Sequence, residues 1–140
     1  STKENLKHLL YIMNEDFIEV DIRIISLEVL KKLILNKFSE FSVDSLNYLK
    51  SNIFEFEKDN ESPIRKEIPK IFINLIKSGI LSMWPNLIET ILSKINLPNL
   101  CSKTKEAYLE IILLSISETS AYEQENSKQV NLKKLKKFFF

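Results

Sequence analysis

The feature that most constrains this chain is the spacing of its apolar residues, which is helical from one end to the other. Trp84, Leu87, Ile88, Ile91, Leu92 and Ile95 recur at i, i+3, i+4, i+7, i+8 and i+11. Ile64, Ile68, Ile71, Phe72, Leu75 and Ile76 keep a similar rule, as do Leu6, Leu9, Leu10 and Met13, and Val43, Leu46, Leu49, Ile53 and Phe56. No stretch alternates apolar and polar residues between turn signals, so no strand is predicted. The spacing predicts helices near 3–14, 20–37, 43–57, 63–78, 83–95, 102–118 and 128–138.

Punctuation supports these boundaries. Ser42 is placed to cap a helix opening at Val43, with Asp44 favourable in its first turn. Ser62 is placed to cap a helix with Pro63 at its first position, where the missing N–H has no helical partner. Pro69 lies deeper and removes one backbone bond. Gly79, the chain's one glycine, is placed to end that helix in the left-handed conformation. Pro85 is tolerable in the next first turn, Pro98 marks a loop, and Ser102 is a candidate cap. Two helices, 20–37 and 102–118, are apolar on most faces, and such helices are expected to lie sandwiched between neighbours.

Starts of alternate helices fall roughly 40 residues apart, the period of helix-pair solenoids of the HEAT and armadillo kind. The expected fold is all-α: a right-handed α-solenoid of about three HEAT-like helix pairs plus the start of a fourth. The pairs span about 3–37, 43–78 and 83–118, with a partial repeat over 128–140, in a single domain covering 1–140. The basic and aromatic ending "NLKKLKKFFF" fits the first helix of that partial repeat, with Leu132, Leu135, Phe138 and Phe139 facing the stack. In this scheme Gly79 reverses the chain between repeats, and Trp84 opens the next helix, its ring wedged under the preceding repeat.

Totals remove several functions. Twenty basic and nineteen acidic residues leave the 140-residue chain near neutral, with no bulk field toward nucleic acid or anionic membrane. Without glycine-rich turns there is no phosphate loop or dinucleotide fingerprint. The longest uncharged stretch, 78–88, is about half of a membrane span. The single cysteine, Cys101, cannot form an internal disulfide, which fits a reducing compartment. One histidine, His8, and that cysteine offer no zinc-ligand spacing, and nothing in the sequence activates Cys101 as a nucleophile. No catalytic residues, cofactor or metal are assigned, and the chain is not expected to be an enzyme.

Several motifs, in order, resemble one family. The segment "IRKEIPKIFINLIKSGILSMWPNLIETIL" is similar to the N-terminal region of the exportin-type karyopherin-β family, the HEAT-repeat nuclear transport receptors. There a long apolar helix is followed by a Trp-Pro-x-x-Trp-Pro turn; Trp84-Pro85 matches the second pair, and Ile80-Leu81 replaces the first. Upstream, "VDIRIISLEVLKKLILNKFSEFSVDSLNYLKSNIFEF" resembles the preceding segment, with Phe38 where an aromatic is usual. Downstream, "YLEIILLSISETSAY" resembles a helix ending in paired acids, of which Glu118 is kept and Thr119 replaces the other.

The resemblance implies that inner-layer helices bind the GTP-bound form of the small GTPase Ran, with the nucleotide belonging to that partner. It also implies contacts of outer surfaces with phenylalanine-glycine nucleoporins, cargo bound through repeats outside this stretch, and shuttling between nucleus and cytoplasm. A non-transport HEAT or armadillo scaffold or adaptor is the alternative. Neither reading involves nucleic acid or a membrane.

Solenoids bind along one layer of helices. If that layer is 20–37, 63–78 and 102–118, helical phase places Asp21, Glu28 and Lys32 on the first polar stripe. Lys66, Lys70, Asn74 and Lys77 fall on the second, and Glu106, Glu110 and Ser117 on the third. A basic middle stripe between acidic or mixed neighbours suits a charged protein partner.

Overall fold

A computed structural model describes residues 2–117. Among these the protein is all-α, with six helices and no strand. The helices are α1 (Thr2–Asn14), α2 (Val20–Lys37), α3 (Val43–Asn52), α4 (Ser62–Lys77), α5 (Leu87–Ile95) and α6 (Ser102–Ser117). Short 3-10 turns lie at Phe38–Glu40, Ile53–Lys58 and Ile80–Ser82. The helix expected over 128–138, and the last residue of the one expected over 102–118, lie outside the described residues.

The chain forms two compact units that meet at the Ser78–Gly79 bond. In the first, side chains cross between helices and fix their directions. Arg23 of α2 reaches the Met13 carbonyl of α1, and Ser26 Oγ donates to the Leu9 carbonyl at 2.8 Å. As α2 advances its partners on α1 recede, so the two helices are antiparallel. Between α1 and α3 the order is reversed. Lys3 pairs with Asp44 at 3.3 Å, Lys7 Nζ sits 5.3 Å from the centre of the Tyr48 ring, and Asn14 Nδ2 donates to the Asn52 carbonyl at 3.2 Å. These helices run parallel. So do α2 and α4: Arg23 pairs with Asp59 just before α4, Lys31 pairs with Glu67, and Ser78 Oγ donates to the Ile34 carbonyl.

The parallel crosslinks join residues 36 to 44 positions apart. An antiparallel hairpin is thus followed by helices that stack in parallel on each of its members. Leu6, Leu10, Met13, Leu27, Leu30, Ile34, Leu49, Ile68 and Phe72 are fully or almost fully buried. Between α3 and α4 the 3-10 turn Ile53–Lys58 fills the gap. Phe54 and Phe56 place their rings 5.5 Å and 6.4 Å from that of Phe72 on α4.

Local chemistry sets the boundaries, with some departures from expectation. Ser42 caps α3, its Oγ accepting from the Ser45 N–H at 3.1 Å. That helix tightens to 3-10 geometry after Asn52, rather than staying α to 57. Ser62 is the first residue of α4, not its cap. Glu61 flanks the helix without a side-chain bond, and its carbonyl receives Ile64 and Arg65. Similarly, the Cys101 carbonyl receives the Lys105 N–H, which moves the start of α6 one residue ahead of the Ser102 cap. Pro69 lies buried inside α4.

The second unit, described from Gly79 to Ser117, opens on Gly79 at φ 97° and ψ 20°. Trp84 does not start a helix. It lies in the turn between Ile80–Ser82 and α5, held by its N–H on the Ile80 carbonyl at 2.8 Å and by its own carbonyl accepting from Leu87. Pro85 likewise precedes α5 instead of standing in its first turn. Proline disfavours the helical conformation at the residue before it, which keeps Trp84 out of the helix, and Asn86 flanks α5 with its carbonyl accepting from the Thr90 N–H. Trp84 is buried at 8 % exposure, and α5 packs on α6 with Leu87, Ile91, Tyr108 and Ile111 fully buried.

The expectation that α2 and α6 are sandwiched is corrected. Ile22, Ile25, Val29 and Leu35 of α2 are 49, 62, 46 and 55 % exposed, while Leu27, Leu30 and Ile34 are at 0 %. Two neighbours, α1 and α4, cover only part of the circumference of α2. In the second unit Leu109 and Leu113 of α6 are also exposed.

Candidate protein-docking surface

The outward side of α2 and α4 carries most of the polar residues selected from the sequence. Asp21, Glu28 and Lys32 are exposed on α2, as are Lys66, Lys70 and Lys77 on α4; Asn74 is partly covered. Because α2 and α4 pack side by side in one unit, these seven residues lie on neighbouring helices. Glu106, Glu110 and Ser117 are exposed on α6, in the other unit. Gly79 and Pro85 are exposed in the turns before α5, and Trp84 is buried there.

The two stripes are joined by residues that sequence reasoning missed. Lys31 Nζ donates to Glu28 Oε1 and to Glu67 Oε2, both at 2.7 Å, and Lys70 Nζ donates to Glu67 Oε1 at 3.0 Å. The result is a chain of alternating charge, Glu28–Lys31–Glu67–Lys70, across the α2–α4 seam. Its inner members are its most shielded, at 14 % side-chain exposure for Lys31 and 18 % for Glu67. Burial works to lower the pKa of Lys31, but its hydrogen bonds and charge contacts with Glu28 and Glu67 outweigh this and raise it. For Glu67 burial works upward, and the bonds from Lys31 and Lys70 carry the pKa below its ordinary value.

A second missed pair lies under the same seam. Arg23 is 1 % exposed. Its Nε and Nη2 donate to the Met13 carbonyl at 3.0 and 2.7 Å, its Nη1 donates to Asp59 Oδ1 at 3.4 Å, and its Nη2 pairs closely with Asp59 Oδ2. Asp59 also accepts from the Glu61 N–H at 3.0 Å, and its carbonyl accepts from Arg65 Nη1 at 2.6 Å. The guanidinium fork therefore satisfies a carbonyl at the end of α1 and anchors the segment that leads into α4. These groups serve structure. The surface beside them presents exposed charged and apolar side chains.

His8 is exposed on α1 and Cys101 is exposed before α6. Among the described residues no cluster of three or more His, Cys, Asp or Glu is placed to hold a metal ion, and no helix is long and apolar enough to cross a membrane. Comparison with protein-family models, with curated proteins and with solved structures finds no match to this chain.

Proposed function

We propose that the chain is a helical-repeat module that binds other proteins along the α2–α4 layer, and that it works without catalysis. The observation that carries this reading is the parallel stacking of α1 on α3 and of α2 on α4, through contacts spaced 36 to 44 residues apart. That spacing suits successive helix pairs of a solenoid, in which one layer of helices offers a continuous wall to a partner. The exposed charges of α2 and α4 would line that wall.

Within this reading, the motifs around Trp84-Pro85 favour a specific role. The chain would be the N-terminal part of a nucleocytoplasmic transport receptor similar to the exportin-type karyopherins-β. It would bind Ran-GTP through its inner layer, meet phenylalanine-glycine nucleoporins elsewhere, and shuttle between nucleus and cytoplasm. A scaffold or adaptor unconnected with transport is the second reading, favoured by the mixture of apolar and charged residues exposed on α2.

A pull-down separates the two. The immobilised chain is offered Ran loaded with a non-hydrolysable GTP analogue, or Ran-GDP. Retention of the GTP form over the GDP form supports the transport role. Equal retention, or none, removes it and leaves the general docking module.

A further inference from the structure

The exposed side of α2 carries an acid at one end and a base at the other. Asp21, Ile25, Glu28 and Lys32 are all exposed and recur at i, i+4, i+7 and i+11, so they form one row along the helix. Positions 21 and 32 are 11 apart, close to three turns, which sets Asp21 and Lys32 on the same side about 16 Å apart along the axis. Ile25 in this row is 62 % exposed, and Ile22 and Val29 flank it on one side at 49 and 46 %. Glu28 stands toward α4, where Lys31 already pairs with it. Asp21 and Lys32 have no opposite charge within ion-pair distance among the described residues. The two open charges are thus opposite in sign and bracket an apolar patch. Such a face selects neither an acidic nor a basic partner. It is complementary to itself turned end for end.

We propose that two copies of this chain pair through α2, antiparallel about a twofold axis. Asp21 of each copy meets Lys32 of the other, and Ile22, Ile25 and Val29 of both pack between these charges. The twofold then falls between positions 26 and 27. It sets the two Ile25 residues about 4.5 Å apart along the helix direction, each nearly level with Val29 of the other copy. Apolar contact supplies the attraction, and the two charge pairs fix direction and register. A parallel pairing would set Asp21 beside Asp21 and Lys32 beside Lys32. One helix face per copy makes a small interface, so the association is weak and depends on concentration. The inference names a second copy as occupant of the α2 side of the proposed docking layer; it rests on that reading but not on the Ran role.

Sedimentation velocity on the full 140-residue chain, loaded at about 1 to about 300 μM, should show the average coefficient rising from monomer toward dimer. Asp21→Lys and Lys32→Glu each bring like charges together at both ends of the pair, and each should raise the dissociation constant by about tenfold or more. Mixed in equal amounts, these two variants regain opposite charges at both ends, so the mixture should dimerise within about threefold of wild type. Ile25→Ser should weaken the dimer by about tenfold. These side chains are exposed, so circular dichroism should be unchanged.

A coefficient that does not change with concentration, a dimer indifferent to Ile25→Ser, or a mixture no tighter than its two components overturns the proposal. Ran retention is measured on the same variants. Retention by a chain that stays monomeric sinks this inference alone, and a dimer that ignores both forms of Ran sinks the transport role alone.

Discussion

Removing either member of the Arg23–Asp59 pair should destabilise the fold far more than removing both. Arg23 is 1 % exposed and the Asp59 side chain 5 %, so neither charge has water to fall back on. At an effective dielectric near 20, unit charges about 4 Å apart attract by about 4 kcal/mol. Arg23→Met leaves Asp59 with only the Glu61 N–H and strips the Met13 carbonyl of both its guanidinium donors. The expected cost is about 3–5 kcal/mol, the range for breaking a buried pair. Asp59→Asn keeps the shape but strands the guanidinium, at about 3 kcal/mol. Arg23→Met/Asp59→Asn removes both charges and leaves chiefly the orphaned Met13 carbonyl, about 1–3 kcal/mol. The double variant should therefore be milder than either single, with a coupling of about 5 kcal/mol at the middle of these ranges. Arg23→Lys keeps the charge but not the two-pronged geometry, and should fall between wild type and Arg23→Met. Urea unfolding followed by far-ultraviolet circular dichroism gives the four free energies of the cycle. Single effects that add within about 0.5 kcal/mol would refute the argument that the pair acts as one buried unit.

Gly79→Ala should cost about 1–2 kcal/mol: φ is 97°, an added Cβ meets nothing within 4 Å, and so only backbone strain opposes it. A fall in the thermal midpoint of several degrees would check this, and an unchanged midpoint would contradict it. The ion chain across α2 and α4 should contribute stability inside a pH window. Glu67 has a lowered folded pKa, so its contribution is present above the ordinary carboxylate value of 4.5 and disappears as pH falls through the folded value below it. Lys31 has a raised one, so its contribution is complete below 10.5 and disappears as pH rises through the folded value above it. In Glu67→Gln the acid-side loss of stability should be shallower than in wild type when urea midpoints are compared across pH. Identical slopes would count against the assignment.

The helices were legible because their apolar residues repeat with one period over the whole chain, and Gly79 and Ser42 mark boundaries by mechanisms that a sequence displays directly. Exposure was not legible in the same way. Nothing in "VDIRIISLEVLKKLILNK" distinguishes Ile25, which faces water, from Leu27, which does not. The difference arises from which sides α1 and α4 occupy, and a helix that is apolar all round gives no phase from which to predict it. Trp84 was misplaced by a smaller cause: its spacing continues that of α5 backwards, while Pro85 delays the helix itself.

The buried pair was missed because Arg23 sits between Ile22 and Ile24 as an interruption, and its partner lies in a loop with no periodicity. Yet a signal exists. Arg23 and Asp59 are 36 residues apart, and so are Lys31 and Glu67. Two opposite-charge pairs share one offset, Arg23 and Lys31 being eight positions apart and Asp59 and Glu67 eight positions apart, as expected where α4 and the residues leading into it run parallel to α2. A helix turn takes 3.6 residues, so eight carry the chain two turns and about a fifth more, which puts Lys31 on the flank of the side that carries Arg23. Slipping α4 by one turn against α2 would separate both pairs together, leaving Arg23 buried without its carboxylate and Glu67 away from Lys31. The penalty for the first far exceeds that for the second, since Arg23 has no access to solvent. The buried pair therefore sets the register of α2 and α4, and the ion chain nearer the surface follows it.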